Sequence, residues 1–154
     1  MFGDHSDRFN VVPAGWNDLQ DLARLEKECF KEDAWPWWDL LGVLAFSNTI
    51  RLKAIAADEN MAGFISGEVK MSEKSGWITT LGVRANYRRL GLARKLLVEC
   101  EKKMAMPRVC LCVRMDNKPA LALYSQNGYK QVSTWKSYYG IGEDAFVLEK
   151  SLMD

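Results

Sequence analysis

Leu81-Gly82-Val83-Arg84-Ala85-Asn86-Tyr87-Arg88-Arg89-Leu90-Gly91-Leu92-Ala93-Arg94 reads as the end of a strand, a short basic loop and the start of a helix. Trp77 to Val83 carries the apolar and β-branched residues of a strand. From Gly91 the period changes: Leu92, Leu96, Leu97, Cys100 and Met104 recur at helical spacing, which predicts a helix over Gly91 to Met104. A helix that starts this way points several unpaired N–H groups at one spot, with the positive end of its dipole behind them. Phosphate binds readily at such a point. Gly91 permits close backbone approach and Ala93 keeps the first turn slim, while Arg88, Arg89 and Arg94 add charge at the mouth. Junctions of this kind are common, however, and a solvated corner is the other reading of the local physics. The G-x-G-x-x-G dinucleotide pattern is absent, and no G-K-[ST] follows the glycine, so neither a Rossmann nor a Walker A loop is indicated.

Outward from this junction, the order of elements can be read along the chain. Towards the N-terminus, Ile50 to Ala57 and Ala62 to Met71 read as strands separated by an Asp58-Glu59-Asn60 turn. Phe9 to Pro13 reads as a first strand. Asn17 with Gln20 suggests a capping box opening a helix, whose stripe of Leu19, Leu22, Ala23 and Leu25 runs to about Phe30. Asp33 to Trp37 is a proline-containing break, and Trp38 to Phe46 reads as a second, apolar helix. Towards the C-terminus, Val109 to Val113 is a short strand. Asn117 is a good N-cap, Pro119 suits a first helical turn, and Gly128 fits the position just past the helix end. Tyr129 to Tyr139 and Ala145 to Leu152 read as two closing strands. The order β-α-α-β-β-β-α-β-α-β-β predicts an α/β fold with a mixed sheet and helices on its faces.

Length and composition narrow the class. The 154 residues suit a single domain, spanning 1–154, that buries a core without disulfides. A net charge of +1 gives no general pull towards nucleic acid or membrane surfaces. Cys29, Cys100, Cys110 and Cys112 form no C-x-x-C pair, and His5 is the single histidine, so no zinc site is expected. Met1 to Phe9 lacks the apolar core of a signal peptide, and Leu40 to Phe46 is too short to span a bilayer. A cytoplasmic protein with reduced, buried thiols is expected.

Arg88-x-x-Gly91-x-Ala93 matches the [QR]-x-x-G-x-[GA] acetyl-CoA motif of the GNAT superfamily of acetyltransferases, in the strand-to-helix context that family requires. Leu111 to Asn117, Ala122-Leu123-Tyr124 and Asn127-Gly128-Tyr129 resemble the family's next motif. Tyr138 to Phe146 resembles the closing hairpin of protein N-terminal acetyltransferases, including the bacterial type that acetylates the N-terminal alanine of a ribosomal protein. The resemblance is clear from about Ala62 to Leu152. It implies acetyl-CoA as cosubstrate, no metal, and a peptide or protein N-terminus as acceptor. Leu81, Gly82 and Val83 should hold the pantetheine arm through backbone groups, as an added strand would. Arg88, Arg89, Leu90, Gly91, Leu92, Ala93 and Arg94 should surround the pyrophosphate. Asn117 should contact the cofactor near its thiol end, and Tyr124 should return a proton to the leaving thiolate. Tyr138, Tyr139, Trp37 and Glu32 are expected on the acceptor side.

Amine acetylation needs a neutral amine held beside a polarised thioester, and no enzyme nucleophile. An α-amine, with a pKa near ~8, is partly neutral at physiological pH, whereas lysine at ~10.4 is not. The chain departs from its relatives where they often place a glutamate or histidine, here Cys112, and where some place a tyrosine, here Trp77. A water chain near Tyr138 or Tyr139 is the expected substitute for a base, with Glu32 and Asp33 weaker candidates. Two other readings stay open: acetylation of a small amine, and a degenerate domain that binds acyl-CoA without turnover.

Overall fold

The computed structural model describes residues 5–45 and 48–152, without the side chains of Ser6 and Glu32. Eleven helices and strands follow in the order read from the sequence. They are β1 (Asn10–Pro13), α1 (Leu19–Phe30), α2 (Trp37–Ala45), β2 (Thr49–Ile55), β3 (Met61–Lys70), β4 (Ser75–Val83), α3 (Leu92–Met104), β5 (Arg108–Arg114), α4 (Lys118–Gln126), β6 (Lys130–Gly140) and β7 (Glu143–Ser151). The strands form one seven-stranded sheet in the spatial order β1-β2-β3-β4-β5-β7-β6. All neighbours are antiparallel except β4 and β5. That parallel pair is what the α3 crossover produces, since parallel neighbours need a long connection.

Two apolar clusters flank the sheet. On one face α3 supplies Leu92, Leu96, Leu97, Cys100 and Met104, the stripe read from the sequence, with Tyr124 of α4 beside it. On the other, Leu22 and Leu25 of α1 and Leu40 and Leu44 of α2 close over Phe64 of β3. The leucines and Phe64 among these are fully buried, and each contributes roughly 1.5–3 kcal/mol through removal from water.

Local starts and stops differ from expectation in instructive ways. The first helix is not opened by Asn17 and Gln20. A 3₁₀ turn over Trp16–Asp18 precedes it, and Asp18 takes the N-cap position while its carboxylate makes no hydrogen bond to the helix. It accepts from the Gly15 N–H at 2.8 Å and from Lys53 Nζ at 2.6 Å. The Asp18 carboxylate thus joins the 3₁₀ turn to β2. Gly91 is the cap residue of α3 and not its first helical residue. The expected caps of α4 are found: Asn117 Oδ1 accepts from Ala120 N at 3.3 Å, and Gly128 sits past the end at φ +92°.

One irregularity in β4 shapes everything that follows. Ser66 pairs with Thr80 and Gly67 with Ile78, so Thr79 is an extra residue, a β-bulge. Side chains pin it: Thr79 Oγ1 donates to Ser66 O at 3.2 Å and lies 2.6 Å from Ser66 Oγ. A bulge shifts the alternation of the strand by one. Ile78 packs into the α3 face, yet Thr80 and Gly82 face α1. At Gly82 a Cβ would come within 2.8 Å of Leu25 Cδ2 and 3.2 Å of Cys29 Sγ, so glycine lets α1 close on the strand. Beyond the bulge β4 also parts from β5: their pairing covers Ser75 to Ile78 with Arg108 to Leu111 and stops. β5 continues with β7 to Arg114 instead.

Candidate active site

Where β4 and β5 separate, the facing edge of β4 from Thr79 to Val83 has no strand partner. An extended ligand can pair with such an edge. One of its acceptors is already engaged. Val83 O takes hydrogen bonds from Arg88 Nε at 2.9 Å and from Cys29 Sγ at 3.4 Å. Arg88 therefore braces the loop against the end of β4. Tyr87 ties the same loop down through its ring against Phe9 and its hydroxyl to Asp58 Oδ2 at 3.4 Å.

Past this brace the backbone turns twice through left-handed conformations, at Arg89 (φ +64°) and Gly91 (φ +81°). Such turns gather successive N–H groups into an anion-binding concavity. No side chain caps α3, so its first N–H groups remain free to bind a ligand. A cavity of about 640 Å³ runs from this point along β4 to α4. It is lined by Leu81, Gly82, Val83, Arg88, Arg89, Gly91 to Arg94, Asn117 and Tyr124. Leu90 is the one expected cofactor residue outside that lining. It packs against the core, and its carbonyl accepts from His5 N at 3.0 Å.

A second, smaller cavity of about 160 Å³ lies in the gap between β4 and β5. The two cavities share Phe30, Leu81, Asn117, Ala120 and Tyr124, so they meet at the Tyr124 ring. Tyr124 is 8% exposed, and burial pushes its hydroxyl up to about 12. It is therefore a protonated donor at neutral pH. Among the described residues its hydroxyl has no hydrogen-bond partner, which leaves it available to a ligand. The Asn127-Gly128-Tyr129 segment holds it in place. Tyr129 N donates to Tyr124 O at 3.0 Å, and the Tyr129 ring meets the Tyr124 ring edge-on at 5.6 Å. Tyr129 is itself anchored through its hydroxyl to Glu101 Oε2 at 2.6 Å.

The far wall of the small cavity is charged. Arg114 of β5 grips both Asp33 oxygens, with Nη2 to Oδ1 at 2.6 Å and Nε to Oδ2. It also meets Glu143 Oε2 at 3.3 Å and lies 4.6 Å from the Tyr139 ring centre. These contacts raise its pKa, the Asp33 hydrogen bond first among them. They tie the α1–α2 connection to the β6–β7 hairpin. Cys112 lines the cavity as a neutral thiol: burial pushes its pKa up. Tyr139 lines it too, while Tyr138 lies against Cys112 and is mostly exposed. Trp37 stands on the outside of α2, 59% exposed, stacked edge-on with Trp38 and outside both linings. Trp35 takes the position at the cavity wall. Glu32 lies outside the described side chains. Among the described residues no three His, Cys, Asp or Glu side chains group as metal ligands.

Sequence reading passed over Glu26. This carboxylate is 1% exposed and lines the small cavity. Oε1 accepts from Thr80 Oγ1 at 2.7 Å and Oε2 from Trp35 N at 3.5 Å. Burial raises its pKa, and the two hydrogen bonds oppose that rise. The signal was present: Leu19, Leu22, Ala23 and Glu26 share one helical stripe, so a charged residue sat on the inward face.

The free edge of β4 beside an uncapped helix start suits an extended ligand that carries phosphate, and the buried Tyr124 where the two cavities meet suits group transfer from it. The chain matches the acetyltransferase (GNAT) family over residues 16–129 and belongs to that family. It is 36% identical to an N-alpha-acetyltransferase of Saccharolobus solfataricus, over 97% of this chain and 96% of that one. It is 30% identical to the N-alpha-acetyltransferase daf-31 of Caenorhabditis elegans, over 93% and 82%. In fold it is similar to the ribosomal-protein-S18-alanine N-acetyltransferase of Escherichia coli, with a TM-score of 0.84, 20% identity and 95% of each chain covered. It also resembles Arabidopsis thaliana NAA60 in complex with acetyl-CoA, with a TM-score of 0.81, 20% identity, and 94% and 98% covered. The protein is an N-acetyltransferase that uses acetyl-CoA.

Proposed function

We propose that the chain, acting as one catalytic domain over residues 1–154, transfers the acetyl group to the N-terminal α-amine of a protein or peptide. The observation that carries this reading is the acceptor cavity. It is small, it has Tyr139 of the β6–β7 hairpin on its wall, and Glu26 is its carboxylate that is not paired with Arg114. That suits a free ammonium at the end of a chain, with main chain passing under the hairpin. The names of the relatives at 30–36% identity support the same acceptor class.

Acetyl-CoA supplies an activated acyl thioester. The left-handed turn and the free N–H groups of Leu92, Ala93 and Arg94 fit its pyrophosphate, with Arg89 and Arg94 adding charge. The open edge of β4 at Leu81 and Gly82 fits the pantetheine arm, and Asn117 sits where the arm would end. Tyr124 then faces the sulfur and protonates the leaving thiolate. Cys112, as a neutral thiol, is a wall residue. Trp35 takes the side-chain-facing role expected of Trp37, and Tyr138 and Tyr139 orient the acceptor backbone.

The Glu26 carboxylate would also attract a polyamine, so the test is a competition. A peptide with a free N-terminus, the same peptide blocked but carrying lysine, and spermidine are each offered with acetyl-CoA, and mass spectrometry locates the acetyl group. Modification of the free N-terminus is expected. Acetylation of spermidine or of the blocked peptide with the free N-terminus untouched overturns the acceptor and leaves the acetyltransferase standing. We also assign the protein to the cytoplasm, a reading supported by its four free cysteines. No helix among the described residues is long and apolar enough to cross a membrane.

A further inference from the structure

We infer that Glu26 is the general base of this enzyme, the group that takes the proton from the attacking amine. The inference rests on the reading of the small cavity as the acceptor site. Among the described residues, the titratable groups lining that cavity are Glu26, Asp33, Cys112, Arg114, Tyr124 and Tyr139. From the α1–α2 connection, Asp33 is committed to Arg114. From β5, Arg114 is a cation held by two carboxylates, and Cys112 is a neutral thiol. From α4 and β6, Tyr124 and Tyr139 are neutral phenols whose burial raises their pKa values. From β4, Thr79 and Thr80 do not titrate. Glu26 is the carboxylate of the lining that has no ion-pair partner among the described residues.

Its geometry suits the task. An ionised carboxylate has about four acceptor positions. Thr80 occupies one on Oε1, and the long contact from Trp35 N leaves Oε2 only weakly engaged. Glu26 and Tyr124 line the same small cavity, so an acceptor and a donor of protons serve one bound amine. In the reaction the amine nitrogen bonds to the carbonyl carbon and the carbon–sulfur bond breaks. The proton lost by nitrogen goes to Glu26, and the sulfur takes its proton from Tyr124. Solvent carries the Glu26 proton away and restores Tyr124. The sum is an amide and a free thiol, with no other reactant. The bulge at Thr79 makes this possible. Without that extra residue Thr80 would face α3, and Glu26 would lose the hydrogen bond that favours its charged form.

The test uses whichever amine the wild type acetylates, so it stands apart from the acceptor's identity. Glu26→Gln is expected to bind acetyl-CoA in calorimetry with wild-type affinity and to lose roughly 10²-fold or more in single-turnover rate. The wild-type rate should fall at acidic pH as Glu26 takes up a proton, and the variant should lack that limb. Thr80→Val removes the hydrogen bond that lowers the Glu26 pKa, so its acidic limb should move to higher pH. This second variant decides the matter if the first does not fold. A Glu26→Gln enzyme with the wild-type rate, or one that is slower with an unchanged acidic limb, overturns the inference. So does a Thr80→Val profile that does not move, or a wild type that acetylates no amine at all.

Discussion

The two ends of the proposed active site are built from different materials. The cofactor end is mostly backbone: two left-handed residues, an uncapped helix start and the free edge of a strand. The acceptor end is mostly side chain, and its parts come from far apart in sequence. Glu26 and Asp33 come from the first third of the chain, Arg114 from β5, Tyr124 from α4 and Tyr139 from β6. Backbone-built sites depend on local conformation, which a few glycines and a strand-to-helix switch encode within fifteen residues. Side-chain-built sites depend on convergence, which no window of the sequence contains. The two ends should therefore fail differently when altered.

The largest effect is expected at the backbone end. Gly91→Val places a β-branched side chain at φ +81°, a conformation such residues avoid, and puts its methyl groups at the proposed phosphate site. Calorimetry should show acetyl-CoA binding lost on a protein whose circular dichroism is near native. Retained affinity would show that the helix start is not the phosphate site. At the meeting point of the cavities, Tyr124→Phe should keep cofactor affinity and lower turnover by roughly 10²-fold, the usual cost of removing a positioned acid. If affinity falls and turnover does not, the hydroxyl binds and does no chemistry.

At the side-chain end, Arg114→Gln should raise KM for the acceptor by about tenfold with little change in cofactor affinity, the scale of one charge-assisted contact network. It frees Asp33 and Glu143 from their shared partner. An altered acetyl-CoA affinity with unchanged acceptor KM would blur the division between the two ends. Cys112→Ala should keep activity within about twofold, because a neutral thiol supplies no base. An inactive variant that still binds acetyl-CoA would give the sulfur a chemical role.

The smallest effect concerns stability. Burial raises the folded-state pKa of Glu26 above its ordinary 4.5. A raised carboxylate pKa stabilises the fold only while the group is protonated. That contribution is fully present below about pH 4.5 and is lost as pH rises through the folded value. Glu26→Gln should therefore be more heat-stable than wild type near neutral pH, with the gain shrinking as pH falls through the raised folded value towards 4.5 and levelling off below it in parallel melting curves. A gain that does not depend on pH would mean that Glu26 is not desolvated.

By itself, the amino-acid sequence determined the order of eleven elements, the strand-to-helix junction at Gly91 and the tyrosine of the following helix. Periodicity, glycine positions and caps are local, and local interactions leave local marks. It located Asn117 and Gly128 as caps for the same reason. Only the tertiary structure decided the rest. The bulge at Thr79 arises from pairing with Ser66, a residue on another strand, and it turns Thr80 towards α1. α1 starts after a 3₁₀ turn with Asp18 at its N-cap position, and the Asp18 carboxylate pairs with Lys53 of β2, far along the chain. Trp35, and not Trp37, reaches the cavity because the face that α2 buries against the sheet sends Trp37 outward. Glu26 became a candidate base once α1 closed over β4 at Gly82 and removed it from water. A carboxylate's chemistry is set by its surroundings, and those surroundings come from strands and helices far away in the chain.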